Sequence, residues 1–187
     1  IVGTGSVGGR IALHLARLGI GAMKLCDPKT VKPESLLTHE VVPADVGRAK
    51  AGVVARRCRG VCPATRVAGF VGPVEALPFA EFAEADLVVM APDRLEAELF
   101  VAQWAMHLGV PLIQAAVHGD TLTAQVRCYG HASAAGPCAG CFFGPREWTE
   151  VGHGVSYACD GLRGSGAAAA SPPAREAPPE PFTASFS

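Results

Sequence analysis

The sequence predicts an α/β protein with a doubly wound, mostly parallel sheet, an antiparallel edge and a disordered C-terminal tail. Strand-like and helical segments alternate from residue 1 to about residue 117, as expected when helices cover both faces of a parallel sheet. The run 86–91 is almost entirely apolar, which is typical of a parallel strand buried on both faces. Segment 122–129 alternates polar and apolar residues, which favours an antiparallel edge pair.

The elements follow from periodicity and from glycine and proline breaks. Ile11, Leu15 and Leu18 share one helical face after the opening glycine loop, and Gly19 ends that helix. Gly109 is expected to cap a later helix. The remaining segments are predicted as strand 22–26, an irregular stretch with three prolines at 28–45, helix 47–60, strand 65–70, short helix 79–84, strand 86–91, helix 94–108, and strands 112–117 and 122–129.

The opening loop carries the pattern G-x-G-x-x-G at Gly3, Gly5 and Gly8, between an apolar pair and a helix. Glycines let the backbone approach a polyphosphate, and the start of a helix offers N–H groups and the positive end of a dipole. Asp27 follows Gly8 by 19 residues, close to the spacing of an acid that accepts ribose hydroxyls. These features predict a nucleotide site, but the loop does not select the nucleotide.

Composition excludes several classes of function. A chain of 187 residues forms one ordinary core, and its net charge of -1 gives no electrostatic case for a nucleic acid or an anionic membrane. No apolar run approaches a membrane span. The odd count of seven cysteines favours free or metal-bound thiols in a reduced, cytoplasmic compartment. Because the chain starts at a strand without Met, we expect residues upstream of Ile1 to be missing.

The composition changes after Gly130, where Gly, Ala, Pro and Ser dominate. We therefore predict three regions: a nucleotide-binding domain at 1–130, a Cys/Gly-rich segment with a candidate zinc site at 131–163, and a disordered tail at 164–187. The tail is rich in Ala, Pro and Glu, and it lacks the apolar surface that folding requires.

The motifs together resemble the ThiF/MoeB/HesA family, the bacterial relatives of ubiquitin-activating enzymes. The resemblance covers roughly residues 1–145 and rests on the following ordered set: Gly3-Thr4-Gly5-Ser6-Val7-Gly8, Leu18-Gly19-Ile20-Gly21, Asp27-Pro28-Lys29-Thr30-Val31, Asp45-Val46-Gly47-Arg48-Ala49-Lys50, Val88-Val89-Met90-Ala91-Pro92-Asp93, Gly109-Val110-Pro111-Leu112-Ile113 and Cys138-Ala139-Gly140-Cys141. It implies a Rossmann-like fold in homo- or heterodimers.

The resemblance also implies an ATP-dependent adenylyltransferase. Its expected substrate is a carboxylate: the C-terminus of a ubiquitin-like or sulfur-carrier protein, a peptide or a small acid. The opening glycines would cradle ATP, Asp27 would hold the ribose, Lys50 would meet the phosphates, and Asp93 would hold Mg²⁺. A lysine and a metal ion suit this reaction because attack on the α-phosphate needs neutralised phosphate charge.

The chain departs from the family pattern at four positions. Lys29 replaces the second acid of D-x-D, Thr38 replaces a triphosphate-binding arginine, and Glu98 and Ala102 replace an expected arginine and asparagine. Loss of one positioned cation typically costs about 10²- to 10³-fold in rate. A second hypothesis is therefore a catalytically degenerate binding or scaffold partner, paired with an active homologue. His39 would supply part of the missing charge if it were protonated.

The Cys138-x-x-Cys141 pair has the spacing of half a tetrahedral zinc site. His153 and Cys159 would complete a Cys₃His set. Two other interpretations stay open: a vestigial cysteine pair, and Cys159 as a thiol that accepts an acyl group from the adenylate. No neighbour of Cys159 in the sequence is of a kind that would lower its pKa.

A third hypothesis is an NAD-dependent oxidoreductase, which the opening loop and Asp27 allow. Such an enzyme needs a proton donor, and a common arrangement is Tyr-x-x-x-Lys. Tyr129 and Tyr157 are the only tyrosines in the sequence, and neither lies in such a motif. The presence of both Lys50 and Asp93 favours ATP over NAD, because a dehydrogenase would not need the two together.

Overall fold

A computed structural model of the chain describes residues 1–118, 122–130, 137 and 139–151. The helices are α1 (Ser6–Arg17), α2 (Ser35–Thr38), α3 (Lys50–Val61), α4 (Phe79–Ala83), α5 (Leu95–Leu108) and α6 (Pro145–Val151). The strands are β1 (Ala22–Cys26), β2 (Arg66–Phe70), β3 (Val88–Met90), β4 (Leu112–His118) and β5 (Thr123–Tyr129). Short 3-10 turns lie at Pro43–Asp45, Val74–Ala76 and Ala139–Phe142.

The opening residues join two groups of strands into one sheet. β1 pairs in parallel with β2, β3 pairs in parallel with β4, and β4 pairs in antiparallel with β5. Val2 forms parallel bridges to both Cys26 and Met90, so the opening segment lies between β1 and β3. The spatial order is therefore β2, β1, opening segment, β3, β4 and β5. This order is that of a doubly wound, Rossmann-like sheet with one antiparallel edge, and it confirms the predicted fold class.

Helices cover both faces of the sheet. On one face, Met23 and Leu25 of β1 pack into a buried cluster with Ala12 of α1 and Cys58 of α3. A second cluster lies around α5, where Val101 packs with buried side chains from the opening segment, β1, β3 and β4: Val2, Cys26, Met90 and Leu112. Neighbouring β1 residues Leu25 and Cys26 fall in different clusters because successive side chains of a strand point to opposite faces.

Most element boundaries match the predictions within a few residues. Strand 22–26 is observed at the predicted bounds, and Gly109 ends α5 in the left-handed conformation with φ of +70°. The helix predicted at 47–60 begins only at Lys50, because Ala49 is extended and bridges Thr30 in antiparallel. The irregular stretch 28–45 contains α2 and a 3-10 turn, as the prolines suggested.

No helix or strand was predicted after Gly130, but α6 and the turn Ala139–Phe142 fall within this segment. The tail 164–187 and most of 131–163 lie outside the described residues. Over the described ranges the longest helix has 14 residues, and none is long and apolar enough to cross a bilayer.

Candidate functional site

The candidate site is a pocket at the carboxyl ends of three adjacent parallel segments. The opening segment ends at Gly3, β1 is followed by Asp27, and β3 is followed by Ala91, Pro92 and Asp93. In doubly wound sheets, ligands bind in the crevice at this edge, where the strand order reverses. The pocket is lined by Val2, Gly3, Gly5, Cys26, Asp27, Pro28, Lys29, Pro73, Val74, Ala91, Pro92, Asp93, Arg94 and Ala97.

The glycines of the opening loop permit close backbone contacts. Gly3 has φ of +82°, and a Cβ there would lie 2.3 Å from the carbonyl oxygen of Ala91. A Cβ at Gly8 would lie 1.9 Å from the carbonyl oxygen of Gly3. Gly5 caps α1 without a side chain, so the N–H groups of the first turn face no side-chain cap. The loop therefore brings the start of α1 to the pocket in a form suited to phosphate oxygens.

Asp27 fixes the loop against β1. This buried carboxylate accepts hydrogen bonds from the Thr4 backbone N–H (2.7 Å) and the Thr4 hydroxyl (2.9 Å) at Oδ2. At Oδ1 it accepts a third bond from the Lys29 backbone N–H (2.8 Å). A carboxylate offers about four acceptor positions, so these bonds leave capacity for a ribose hydroxyl.

Two cations line the pocket. The Lys29 ammonium forms an ion pair with Oδ2 of Asp93, and the exposed fractions of the two side chains are 30% and 12%. The Arg94 guanidinium donates to the Glu75 carboxylate at 2.5 Å. The sequence marked Lys29 only as the loss of an acid and gave Arg94 no role. The one signal in the sequence for Arg94 was that it directly follows Asp93, the predicted metal ligand.

Lys50 is buried at the start of α3 and does not line the pocket. Its Nζ lies 3.3 Å from Nε2 of His39. Burial and the Lys50 charge lower the pKa of His39 to about 4, while Asp27 acts in the opposite direction. His39 is therefore neutral near pH 7 and does not supply the positive charge considered for it in the sequence.

The positions where the family has an arginine and an asparagine lie away from the pocket lining. Ala102 is buried in the α5 core. Glu98 is buried and accepts a hydrogen bond from Nε2 of Gln114 (2.8 Å), whose Oε1 accepts one from the Tyr129 hydroxyl (2.9 Å). Burial raises the pKa of Glu98 to about 8, against the opposing effects of Arg127 and Gln114. Glu98 is thus mainly protonated at neutral pH.

Thr38 stands where the family arginine is expected. Its hydroxyl lies 3.0 Å from Nδ1 of the neutral His39.

Of the predicted nucleotide and metal residues, the structure brings Gly3, Gly5, Asp27 and Asp93 together in the pocket lining. Gly8 lies behind the loop, and Lys50 lies beside His39.

The residues that line the pocket are suited to bind a nucleotide, but they do not form a site for a magnesium ion. Asp93 already contacts an ammonium, which a metal ion would have to displace or adjoin. Within the described residues no three His, Cys, Asp or Glu side chains cluster in a way that could hold a metal. The residues present do not fit a magnesium site. Of the predicted zinc ligands, Cys141 lies at an exposed position. The other three, Cys138, His153 and Cys159, lie outside the described residues, so that site stays a prediction.

Comparison with known proteins matches the chain to one family and to adenylyltransferases within the curated relatives. A family model described as the ThiF family matches residues 1–162. The adenylyltransferase and sulfurtransferase MOCS3-2 of Zea mays is 31% identical over 149 residues, covering 76% of this chain and 29% of the relative. The sulfur carrier protein ThiS adenylyltransferase of Bacillus subtilis is 30% identical over 124 residues, covering 64% and 37%. The chain thus spans about a third of the length of these relatives.

A solved structure of E. coli MccB with ATP shares the fold. It superposes with a TM-score of 0.65 at 22% identity, covering 75% of this chain and 42% of that protein. A further structure, of E. coli MccB with MccA-N7isoASN, gives a TM-score of 0.64 at 22% identity, with coverage of 75% and 41%.

Proposed function

The chain belongs to the ThiF family, and from this premise we propose that it binds ATP and transfers the adenylyl group to a carboxylate. The observation that carries the proposal is the pocket at the strand-order reversal, where the glycine loop, Asp27 and two cations meet. The names of the relatives support the type of reaction, since they are adenylyltransferases.

Each part of the nucleotide has a candidate partner. The opening loop and the first turn of α1 would take phosphate oxygens, and Asp27 would accept ribose hydroxyls through its remaining capacity. Lys29 and Arg94 would add positive charge at the pocket wall. Lys50 keeps its proposed role at the phosphates. Lys50 is buried, but its backbone N–H donates to the carbonyl oxygen of Lys29, which lines the pocket, so Lys50 lies next to the pocket wall.

The proposed reaction is a displacement at the α-phosphorus. A carboxylate oxygen forms a bond to the α-phosphorus, the bond to the bridging oxygen of the β-phosphate breaks, and pyrophosphate leaves with the electron pair. The positive groups stabilise the charge that develops on the phosphates. We propose a sulfur-carrier or ubiquitin-like protein C-terminus, a peptide or a small acid as the substrate. A relative named after a sulfur carrier supports the first of these classes, and the MccB structure with MccA-N7isoASN supports a peptide.

Exchange of label between pyrophosphate and ATP tests this proposal directly. The wild-type chain should exchange label only when a suitable carboxylate is present, because the reaction is reversible up to adenylate formation. Lys50→Met should reduce the exchange rate about 100-fold, since it removes a positioned cation. ATP binding without exchange, across sulfur carriers, peptides and small acids, would contradict adenylyl transfer.

That last outcome would favour a second candidate, a binding partner without catalytic activity that pairs with an active homologue. Thr38 in place of an arginine and the neutral, internally bonded Glu98 favour this alternative. Exchange measured with Thr38→Arg separates the two candidates. A gain in rate supports weakened catalysis, and no gain supports the binding partner.

A further inference from the structure

The ion pair between Lys29 and Asp93 joins two distant parts of the chain inside the pocket. Lys29 follows β1 and Asp93 follows β3, so their side chains meet across the end of the opening segment. Asp93 is mostly buried, with 12% of its side chain exposed, whereas the Lys29 side chain is 30% exposed. Both residues line the pocket, and Lys29 is the more accessible member of the pair.

The backbone of Lys29 is held on both sides. Its N–H donates to Oδ1 of Asp27 at 2.8 Å, and its carbonyl accepts from the Lys50 N–H at 2.9 Å. These bonds fix the start of the side chain beside the proposed ribose and phosphate partners. A fixed backbone lowers the entropy that Lys29 loses when its ammonium binds a ligand.

A carboxylate that contacts an ammonium is a poor site for a divalent cation. The lysine neutralises the charge that would attract the metal, and the two positive charges repel each other at short range. Magnesium also needs several oxygen ligands in near-octahedral geometry. Beside ATP, the phosphates and water supply most of these oxygens, so one or two carboxylates would suffice. Of the two carboxylates in the described pocket lining, Asp27 already accepts three hydrogen bonds and Asp93 contacts the Lys29 ammonium.

We propose that the Lys29 ammonium, held by Asp93, takes the place of a metal ion and contacts the nucleotide phosphates directly. A lysine has three N–H donors, so it can hold a carboxylate and a phosphate oxygen at the same time. Arg94 at the same wall supplies a second positive charge. The inference deepens the proposed function and rests on it: the chain binds ATP without magnesium, and Asp93 is a positioning residue for Lys29.

The test is equilibrium binding of ATP to the whole chain, measured by calorimetry in excess Mg²⁺ and in excess EDTA. The wild-type dissociation constants should agree within about threefold in the two buffers, a small difference in binding free energy. Lys29→Met should weaken binding about 10- to 100-fold in both buffers, because one charge-assisted hydrogen bond is lost. Asp93→Asn should gain no affinity from Mg²⁺.

Lys29→Asp restores the acid that the family pattern has at this position. This variant should bind ATP at least about tenfold more weakly in EDTA than in Mg²⁺, because two carboxylates now attract a metal and repel phosphates. Lys32→Asp makes the same charge change at an exposed residue three positions later and should leave binding unchanged in both buffers. Thermal unfolding of each variant checks that it is folded.

The comparison of the wild-type affinity for ATP in Mg²⁺ and in EDTA tests the inference even where a variant does not fold. A wild-type affinity that falls tenfold or more in EDTA would overturn the inference while leaving ATP binding intact. Unchanged binding by folded Lys29→Met would overturn it as well. Absence of ATP binding in both buffers would overturn the proposed function, and this inference with it.

Discussion

Gly8 decides how closely α1 approaches the opening loop. Its Cα faces the carbonyl oxygen of Gly3, and a Cβ would meet that oxygen at 1.9 Å. Because the obstacle is backbone, it cannot swing aside as a flexible side chain would. Gly52 in α3 offers a contrast, since a Cβ there would meet no atom within 4 Å.

We therefore expect opposite effects from the same substitution at two helical glycines. Gly8→Ala should lower the free energy of unfolding by about 3 kcal/mol, because the loop and α1 must separate. Gly52→Ala should raise it by about 0.5 to 1 kcal/mol, since alanine favours an exposed helix over glycine. Urea unfolding followed by circular dichroism measures both. Equal stability of the two variants would show that the close approach at Gly8 is not constraining.

The sequence predicted the roles of those residues whose signal is a short-range pattern, and it missed the roles that depend on distant partners. The glycines and Asp27 were predictable because their spacing is a short-range pattern, and the structure places Gly3, Gly5 and Asp27 in one pocket. The partner of Lys29 was not predictable, since Asp93 lies 64 residues later in the chain. The neutrality of His39 likewise depends on burial and on Lys50, which the sequence does not position.

Among the elements, α5, β4 and β5 are tied together by a chain of buried hydrogen bonds. Glu98 belongs to α5, Gln114 to β4 and Tyr129 to β5. The protonated Glu98 fits this buried setting, whereas Arg127 and Gln114 would compensate its ionised form only in part for the loss of water. This arrangement links the stability of the antiparallel edge to pH.

The direction of that link follows from the raised pKa. The folded chain keeps Glu98 protonated up to a pH of about 8, whereas an unfolded glutamate ionises near 4.5. The stabilising contribution is full below 4.5 and is lost as pH rises to about 8. Between pH 6.5 and 8, the contribution of Glu98 to stability should fall by about 1 to 2 kcal/mol. The Ile1 ammonium acts in the opposite direction over this range, because burial lowers its pKa to about 6. This range lies above the interval from 6.5 down to about 4 in which His39 titrates.

Urea unfolding across that pH range checks the prediction. Glu98→Gln keeps an acceptor for Gln114 and removes the titration of Glu98 only, so the stability of the wild type relative to this variant should fall by that amount across the range. Glu84→Gln removes a carboxylate from an exposed position and should keep the wild-type slope. The same dependence of stability on pH in Glu98→Gln as in the wild type would show that Glu98 makes no such contribution.

Element boundaries were predictable where local signals were strong. Strand 22–26 lies between glycines and an acid, and α5 ends at Gly109, so both followed from the sequence. The helix α6 was missed because segment 131–163 is dominated by small residues. In the fold, the start of this region is anchored by tertiary contacts: Ala139 is fully buried against the α5 core, and Trp148 of α6 stacks edge-on with Phe143.

For the molecule as a whole, the opening segment determines where the pocket lies. Val2 of this segment bridges both Cys26 and Met90, so the segment joins the two halves of the sheet. Helices α1 and α3 cover one face, and α5 packs beside β3 in the other cluster. The reversal of strand order opens a crevice at this point, and a bound nucleotide would contact both halves of the sheet.

A ligand that bridges the two halves should stabilise the whole domain. At about 100 times its dissociation constant, ATP should raise the thermal midpoint by about 5 to 10 °C, because it binds only the folded state. NAD at the same concentration should raise it much less, since Lys29 and Arg94 favour the more highly charged triphosphate. Differential scanning fluorimetry makes the comparison. A larger shift with NAD would favour the oxidoreductase hypothesis.

The sequence by itself determined the alternation of strands and helices, the glycine loop and the acid that holds it, because these depend on local periodicity and spacing. Only the tertiary structure decided the electrostatics of the pocket. It set Lys29 against Asp93, buried Lys50 beside a neutral His39 and left Glu98 protonated in the core. Charge states depend on burial and on partners distant in sequence, and folding alone brings those partners together.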